Sequence, residues 1–186
     1  MYAMVQAGSM GAPFAAVRGL LGSDLLLHRP DMRVIGDPFQ AGASVVAAPA
    51  IRPDVAVFHA TRADRFGNAL VSGALRDDVM LARAARRVVV TVEEISERAL
   101  RPAAGGTFLP AIDVDRVVCV PRGAHPTGCG KRYAPDGDHI REYLEAAAGE
   151  GAFRAYLEKY VHGPRDHGAY LSRVGLRERR KRGRDA

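Results

Sequence analysis

The sequence has 186 residues, 47% hydrophobic and 26% charged, a balance that supplies one ordinary domain with its own core. No apolar run reaches the length of a membrane span. The opening Met1-Tyr2-Ala3-Met4-Val5 has neither a basic lead nor a cleavage site, which points away from export and toward the cytoplasm. The net charge of +6 is concentrated, because residues 177–186 carry six basic and two acidic side chains and the other 176 residues only +2.

In chain order, residues 1–7 read as a helix, followed by the Gly-rich turn Gly8-Ser9-Met10-Gly11 and an apolar stretch in which Pro13 excludes a regular helix. Residues 34–39 read as a short extended piece, 44–49 as a strand, and 54–60 (Asp-Val-Ala-Val-Phe-His-Ala) as a stronger strand with both faces covered. Asp64-Arg65-Phe66-Gly67-Asn68 is a turn, and residues 69–72 return as a short strand. Residues 76–86 form an amphipathic helix with Val79, Leu81, Ala82 and Ala85 near one side. Residues 88–92 are a β-branched strand, Glu93-Glu94-Ile95 opens a short helix, Gly105-Gly106 is a loop, and residues 117–120 are a further strand. Three helices follow, over 139–148, 152–161 and 166–174, separated by Gly and Pro. This order predicts an α/β fold, a mostly parallel open sheet flanked by helices, with C-terminal helices. Residues 1–176 form the domain, and 177–186 a basic disordered tail.

In parallel sheets ligands gather at the carboxyl ends of strands. That rule selects His59, Glu93 with Glu94, the loop Gly123-Ala124-His125, and the turn Gly8–Gly11. His59 reads either as a hydrogen-bond donor to a bound acyl group or as a strand-end histidine that fixes the next turn. A glutamate at 93 or 94 reads either as a nucleophile toward a thioester or as an acid at a helix start. The two glutamates leave the strand in different directions, so they do not form one pair of acids. Gly123 and His125 lie in a loop that either offers backbone N–H groups to an oxyanion or simply carries the chain to the helices. The turn Gly8–Gly11 has the wrong length for a phosphate-binding loop. Cys119 and Cys129 lack CxxC spacing, so no metal and no redox pair are expected. The tail has no interleaved aromatic residues, which argues against nucleic acid.

Several blocks in one order carry a resemblance. Pro53-Asp54-Val55-Ala56-Val57-Phe58-His59-Ala60 followed by Asp64-Arg65-Phe66-Gly67-Asn68 resembles the signature of family I CoA-transferase A subunits, most closely the glutaconate CoA-transferase group. Residues 84–95, 114–118 and 121–126 (Pro-Arg-Gly-Ala-His-Pro) follow in matching order, the 156–171 region resembles the closing helices, and the 6–14 segment resembles a mid-chain block of the group. The resemblance implies a chain that works with a B subunit to move CoA between carboxylic acids through a glutamyl-CoA thioester. In the glutaconate group the attacking glutamate comes from the B subunit, so no catalytic residue is assigned to this chain. His59, Glu93, Gly123 and His125 are candidates for the acyl pocket. CoA thioester is the substrate, and no permanently bound cofactor is implied. Related members are CoA-ester or ring-opening hydrolases. The family carries a sizeable segment ahead of the part that matches Met1, so the resemblance implies an N-terminally truncated subunit, with a non-catalytic binding paralogue as the other reading.

Overall fold

The computed structural model describes residues 1–72, 76–102 and 106–176. The chain divides into two compact units, Met1–Cys119 and Val120–Ala186. The tail expected at 177–186 lies outside the described residues.

The first unit opens with helix α1 (Tyr2–Ser9), strand β1 (Phe14–Val17), the single-turn helix α2 (Leu25–His28) and strands β2 (Arg33–Gly36) and β3 (Ser44–Pro49). Strand β3 pairs antiparallel with β1 on one side and β2 on the other. Met4, Met32, Val46 and Ala48 form its small core, with Val17, Leu20, Leu26 and Ile51 packed against it. Helix α1 touches the chain after β3 directly: the Ile51 N–H donates to the Met4 carbonyl at 2.9 Å. Gly8 is required for that approach, because a Cβ at this position would collide with the Ile51 carbonyl.

The main core follows. Strand β4 (Ala56–Ala60) leads into β5 (Arg62–Asp64), β6 (Ala69–Ser72), helix α3 (Arg76–Ala84), β7 (Val88–Val92), β8 (Ile95–Ser96), β9 (Gly106–Leu109), the 3-10 turn Ala111–Asp113 and β10 (Arg116–Cys119). Strands β4, β7 and β10 form an all-parallel sheet in the order β10-β7-β4. A second sheet, β8-β5-β6-β9, is mixed, with β5 and β8 parallel and the other pairs antiparallel. The buried face of the parallel sheet supplies Ala56, Phe58, Ala60, Val88, Val90 and Val92, and Val79, Leu81, Ala82 and Ala85 of the α3 segment pack on the same cluster as the helical spacing requires. Val90, Val92 and Leu109 are fully buried, each contributing about 1.5–3 kcal/mol relative to exposure.

Two local expectations are corrected. Glu93-Glu94-Ile95 does not open a helix: Ile95 pairs with Ala63 in a parallel ladder, and the Ala63 N–H donates to the Glu94 carbonyl at 3.1 Å. The β-branched Ile95 and a waiting sheet edge outweigh the acidic pair as a helix signal. Gly106 is not loop but the first residue of β9, opposite Ser72; Gly105 lies outside the described residues.

The turn after β5 is built around one carboxylate. Asp64 is 2% exposed. Its Oδ1 accepts the N–H groups of Phe66 (2.9 Å) and Asn68 (3.0 Å), and its Oδ2 accepts Asn68 Nδ2 (2.9 Å) and the Leu100 N–H (2.7 Å). Asn68 Oδ1 then accepts the Ala111 N–H at 2.9 Å. Gly67 takes φ +97°, a region closed to most side chains. The Asp64–Asn68 block is thus a structural clamp that ties the turn to the 100 and 111 segments.

The second unit is helical after a loop: α4 (Gly137–Ala147), α5 (Glu150–Leu157), which runs on as a π-helical turn Glu158–His162, and α6 (His167–Arg173). Asp136 and Asp166 cap α4 and α6, accepting the N–H groups of His139 (3.0 Å) and Ala169 (2.7 Å).

Candidate functional site

The parallel ladder sets His59 beside Thr91, and the Glu93 N–H reaches the Ala60 carbonyl at 3.2 Å. His59 and Glu93 therefore meet at the carboxyl ends of adjacent parallel strands. His59 Nε2 is 2.7 Å from Glu93 Oε1, and His59 Nδ1 is 2.8 Å from Thr91 Oγ1. The pair is largely withdrawn from water, with side-chain exposures of 16% for His59 and 7% for Glu93. Glu94 turns the other way and pairs with Arg62 at the surface. The neighbouring glutamates thus have separate environments, as period-two geometry requires.

With Glu93 ionised, the contact at 2.7 Å needs a proton on Nε2. The pair therefore presents one hydrogen bond in which a buried carboxylate and an imidazole share a proton. Around it, the same sheet face carries Val57 (65% exposed) and Val118 (48% exposed), since both share the alternation of His59 and Thr91. All-parallel sheets are normally covered on both faces; this one leaves apolar side chains open around its polar pair. A separate cleft of about 340 Å³ opens beside Phe66, Ile95 and Val117, and neither His59 nor Glu93 lines it.

The other two candidates, Gly123 and His125, belong to the second unit. The N–H groups of Gly123 and His125 donate to the Val120 (2.9 Å) and Arg122 (3.0 Å) carbonyls, and that of Ala124 to the Tyr133 hydroxyl (3.1 Å). These amides are engaged, so the loop does not present them to an oxyanion. Arg122 adopts φ +61° with its guanidinium 4.5 Å above the Tyr133 ring. His125 Nδ1 lies 2.6 Å from the Tyr170 hydroxyl and Nε2 lies 3.2 Å from Asp136 Oδ2. Burial pushes the Tyr170 phenol up to about 12, so it stays protonated and donates. His125 acts here as a clamp between the loop, the α4 cap and α6.

His139 packs at 5.0 Å from His125, ring centre to ring centre, and its Nε2 is 2.9 Å from the Tyr156 hydroxyl. Burial holds the His139 pKa below its ordinary value, with the neighbouring His125 acting in the same direction and Glu142 and Asp136 opposing. A base with a depressed folded-state pKa binds its proton more readily when unfolded, so its contribution is complete above the unfolded value of about 6.5 and is lost as pH falls below it. Urea midpoints of the full chain are expected to drop between pH 7.5 and 5.5, and His139→Gln should flatten that slope. An unchanged slope in the variant would assign the acid sensitivity elsewhere.

Comparison with known proteins places these features in a family. The profile of the coenzyme A transferase family matches residues 1–119, the whole of the first unit. The A-type chain of 3-oxoadipate CoA-transferase from Pseudomonas knackmussii is 36% identical over 168 residues, covering 90% of this chain and 59% of that protein. The A-type chain of glutaconate CoA-transferase from Acidaminococcus fermentans is 33% identical over 191 residues, and the solved structure of that enzyme matches with a TM-score of 0.82 over 94% of this chain and 60% of that one. The cholesterol ring-cleaving hydrolase IpdA subunit of Rhodococcus jostii is 30% identical, covering 87% of this chain and 58% of that protein. The chain thus spans 58–60% of the length of these three curated relatives. Among the described residues no helix is long and apolar enough to cross a membrane. The strand-end pair, the clamped turn after β5 and the two sheets that carry them all fall within the matched residues, and the chain belongs to the coenzyme A transferase family.

Proposed function

We propose that this chain acts as the A-type part of a CoA-transferase, moving CoA between carboxylic acids together with a B-type subunit. The observation that carries the proposal is the His59–Glu93 pair, held at the carboxyl ends of β4 and β7 on a sheet face whose valines are open. In this reading the partner covers that face and supplies the glutamate that becomes the glutamyl-CoA thioester, while residues 1–176 supply the C-terminal portion of the family domain. CoA enters as a thioester substrate.

The geometry of His59 and Glu93 supports a role for them at the acyl group. The acyl carbonyl of the thioester gains negative charge as it is attacked. The proton on His59 Nε2 is committed to Glu93 Oε1, so it reaches that oxygen only as the incoming acyl group takes the place of the Glu93 contact, with Glu93 holding the ring turned until then. Gly123 and His125 lie in the second unit, where the Gly123 N–H donates to the Val120 carbonyl and the His125 ring bonds to Tyr170 and Asp136, and they are given no part in this role. The hydrolase among the relatives supports a second reading, in which water replaces the acceptor acid.

The test combines co-expression with a B-type subunit, pull-down, and an assay of acetyl-, succinyl- and glutaconyl-CoA with and without an acceptor acid. A complex with acceptor-dependent transfer is expected. CoA release without any acceptor would replace transfer by hydrolysis, and the absence of a complex would remove the A-type assignment.

A further inference from the structure

Strand β7 is valine at 88, 89, 90 and 92, and the hydroxyl at Thr91 is its exception. Thr91 stands opposite His59 in the parallel register. Its Oγ1 is 2.8 Å from His59 Nδ1 and 3.3 Å from the Phe58 carbonyl oxygen, toward which it can donate. A hydroxyl has one proton to give and lone pairs to receive. Two proton arrangements therefore satisfy the same heavy-atom positions. With a neutral ring protonated at Nε2, Thr91 donates to Nδ1. With an imidazolium, Nδ1–H donates to Thr91 Oγ1, and the hydroxyl turns its own proton to the Phe58 carbonyl. In both, Nε2 keeps its proton toward Glu93 Oε1.

We infer that Thr91 is a positioning residue that anchors the His59 ring through Nδ1 in either protonation state and so keeps Nε2 aimed at Glu93. The chemical use of that anchoring rests on the function proposed above; the anchoring itself does not. A valine would fill the same volume and suit the strand equally well, but it would leave Nδ1 of a largely buried ring with no partner from β7. Serine would keep the hydroxyl with only a methyl lost.

The experiment is nitrogen-15 NMR of the full chain with labelled histidine rings, with His59 assigned through His59→Gln. In the unsubstituted chain the Nδ1 signal is expected to be that of a hydrogen-bonded nitrogen, and the Nε2 proton to exchange slowly. Thr91→Val and Thr91→Ala should move the Nδ1 signal and speed exchange of the Nε2 proton by about tenfold, the loss expected for one hydrogen bond. Thr91→Ser should restore both. An Nδ1 signal typical of a bare lone pair in the unsubstituted chain, which needs no variant to fold, would overturn the inference, as would an unaltered ring in Thr91→Val. Turnover with the B-type subunit, read on the same variants, separates the two claims: ring changes without any change in turnover would leave the anchoring in place and dismiss the role given to His59.

Discussion

Replacing Asp64 by alanine is expected to cost about 3–5 kcal/mol, because each buried donor left unpaired costs about 1–3 kcal/mol where water does not reach it. Four donors converge on this carboxylate, from Phe66, Asn68 (twice) and Leu100, and it is 2% exposed. Alanine leaves all four unpaired in a site with little access to water. Asparagine does not rescue it, because its amide nitrogen would face another donor on whichever side it turned. Burial alone would raise the Asp64 pKa, but the Asn68 side chain and the Leu100, Asn68 and Phe66 amides outweigh it, and the carboxyl is held below its ordinary value. A depressed acid stabilises fully above its unfolded value of about 3.9 and loses that contribution as pH falls through its folded value. The gap between wild type and Asp64→Ala, read as urea midpoints, should therefore be constant above about pH 5 and close in stronger acid. A gap below about 1 kcal/mol at neutral pH, no more than an ordinary hydrogen bond contributes, would mean that water replaces the carboxylate and that the clamp is not a stability element.

The Asp64 turn also marks what sequence could and could not convey. Gly67 and Asn68 signalled a turn through their tolerance of positive φ, yet the converging donors come from as far as Leu100, and no local pattern records them. Strands β3, β4 and β7 were readable because continuous β-branched or apolar runs have few other uses. Strands β5 and β8 were not: Arg62-Ala63-Asp64 and Ile95-Ser96 are too short to alternate, and they become strands through their neighbours, β5 between β6 and β8, and β8 on the edge of β5. At the site, His59 and Glu93 stood out as polar residues ending apolar strands. Thr91 did not, because a threonine inside a valine strand looks like an ordinary β-former, and only the register that sets it opposite His59 gives its hydroxyl a partner. Gly123 and His125 illustrate the reverse. Glycine and histidine in a loop look open to a ligand, whereas the fold spends the Gly123 amide and both ring nitrogens of His125 on its own chain.

Adjacent glutamates give the second large effect. In the proposed complex with a B-type subunit, Glu93→Gln is expected to lower kcat/KM by about a hundredfold, the lower end of what one oxyanion donor contributes. Glutamine keeps the length of the side chain, and its carbonyl can still accept from His59 Nε2 at the observed 2.7 Å. The change therefore removes the charge that favours the proton on Nε2 while leaving the ring near its place, and the loss should fall mainly on kcat. Glu94→Gln one residue later breaks the surface pair with Arg62, whose side chain is 46% exposed. Such pairs contribute about 0–1 kcal/mol, and turnover should stay within about twofold. Measuring both variants under one set of conditions uses Glu94 as the control for local strand damage. If the two lose activity equally, the effect belongs to the backbone around β8 rather than to the His59–Glu93 pair. If neither loses activity, the pair is a fixed part of the core, and the role proposed for it in transfer falls.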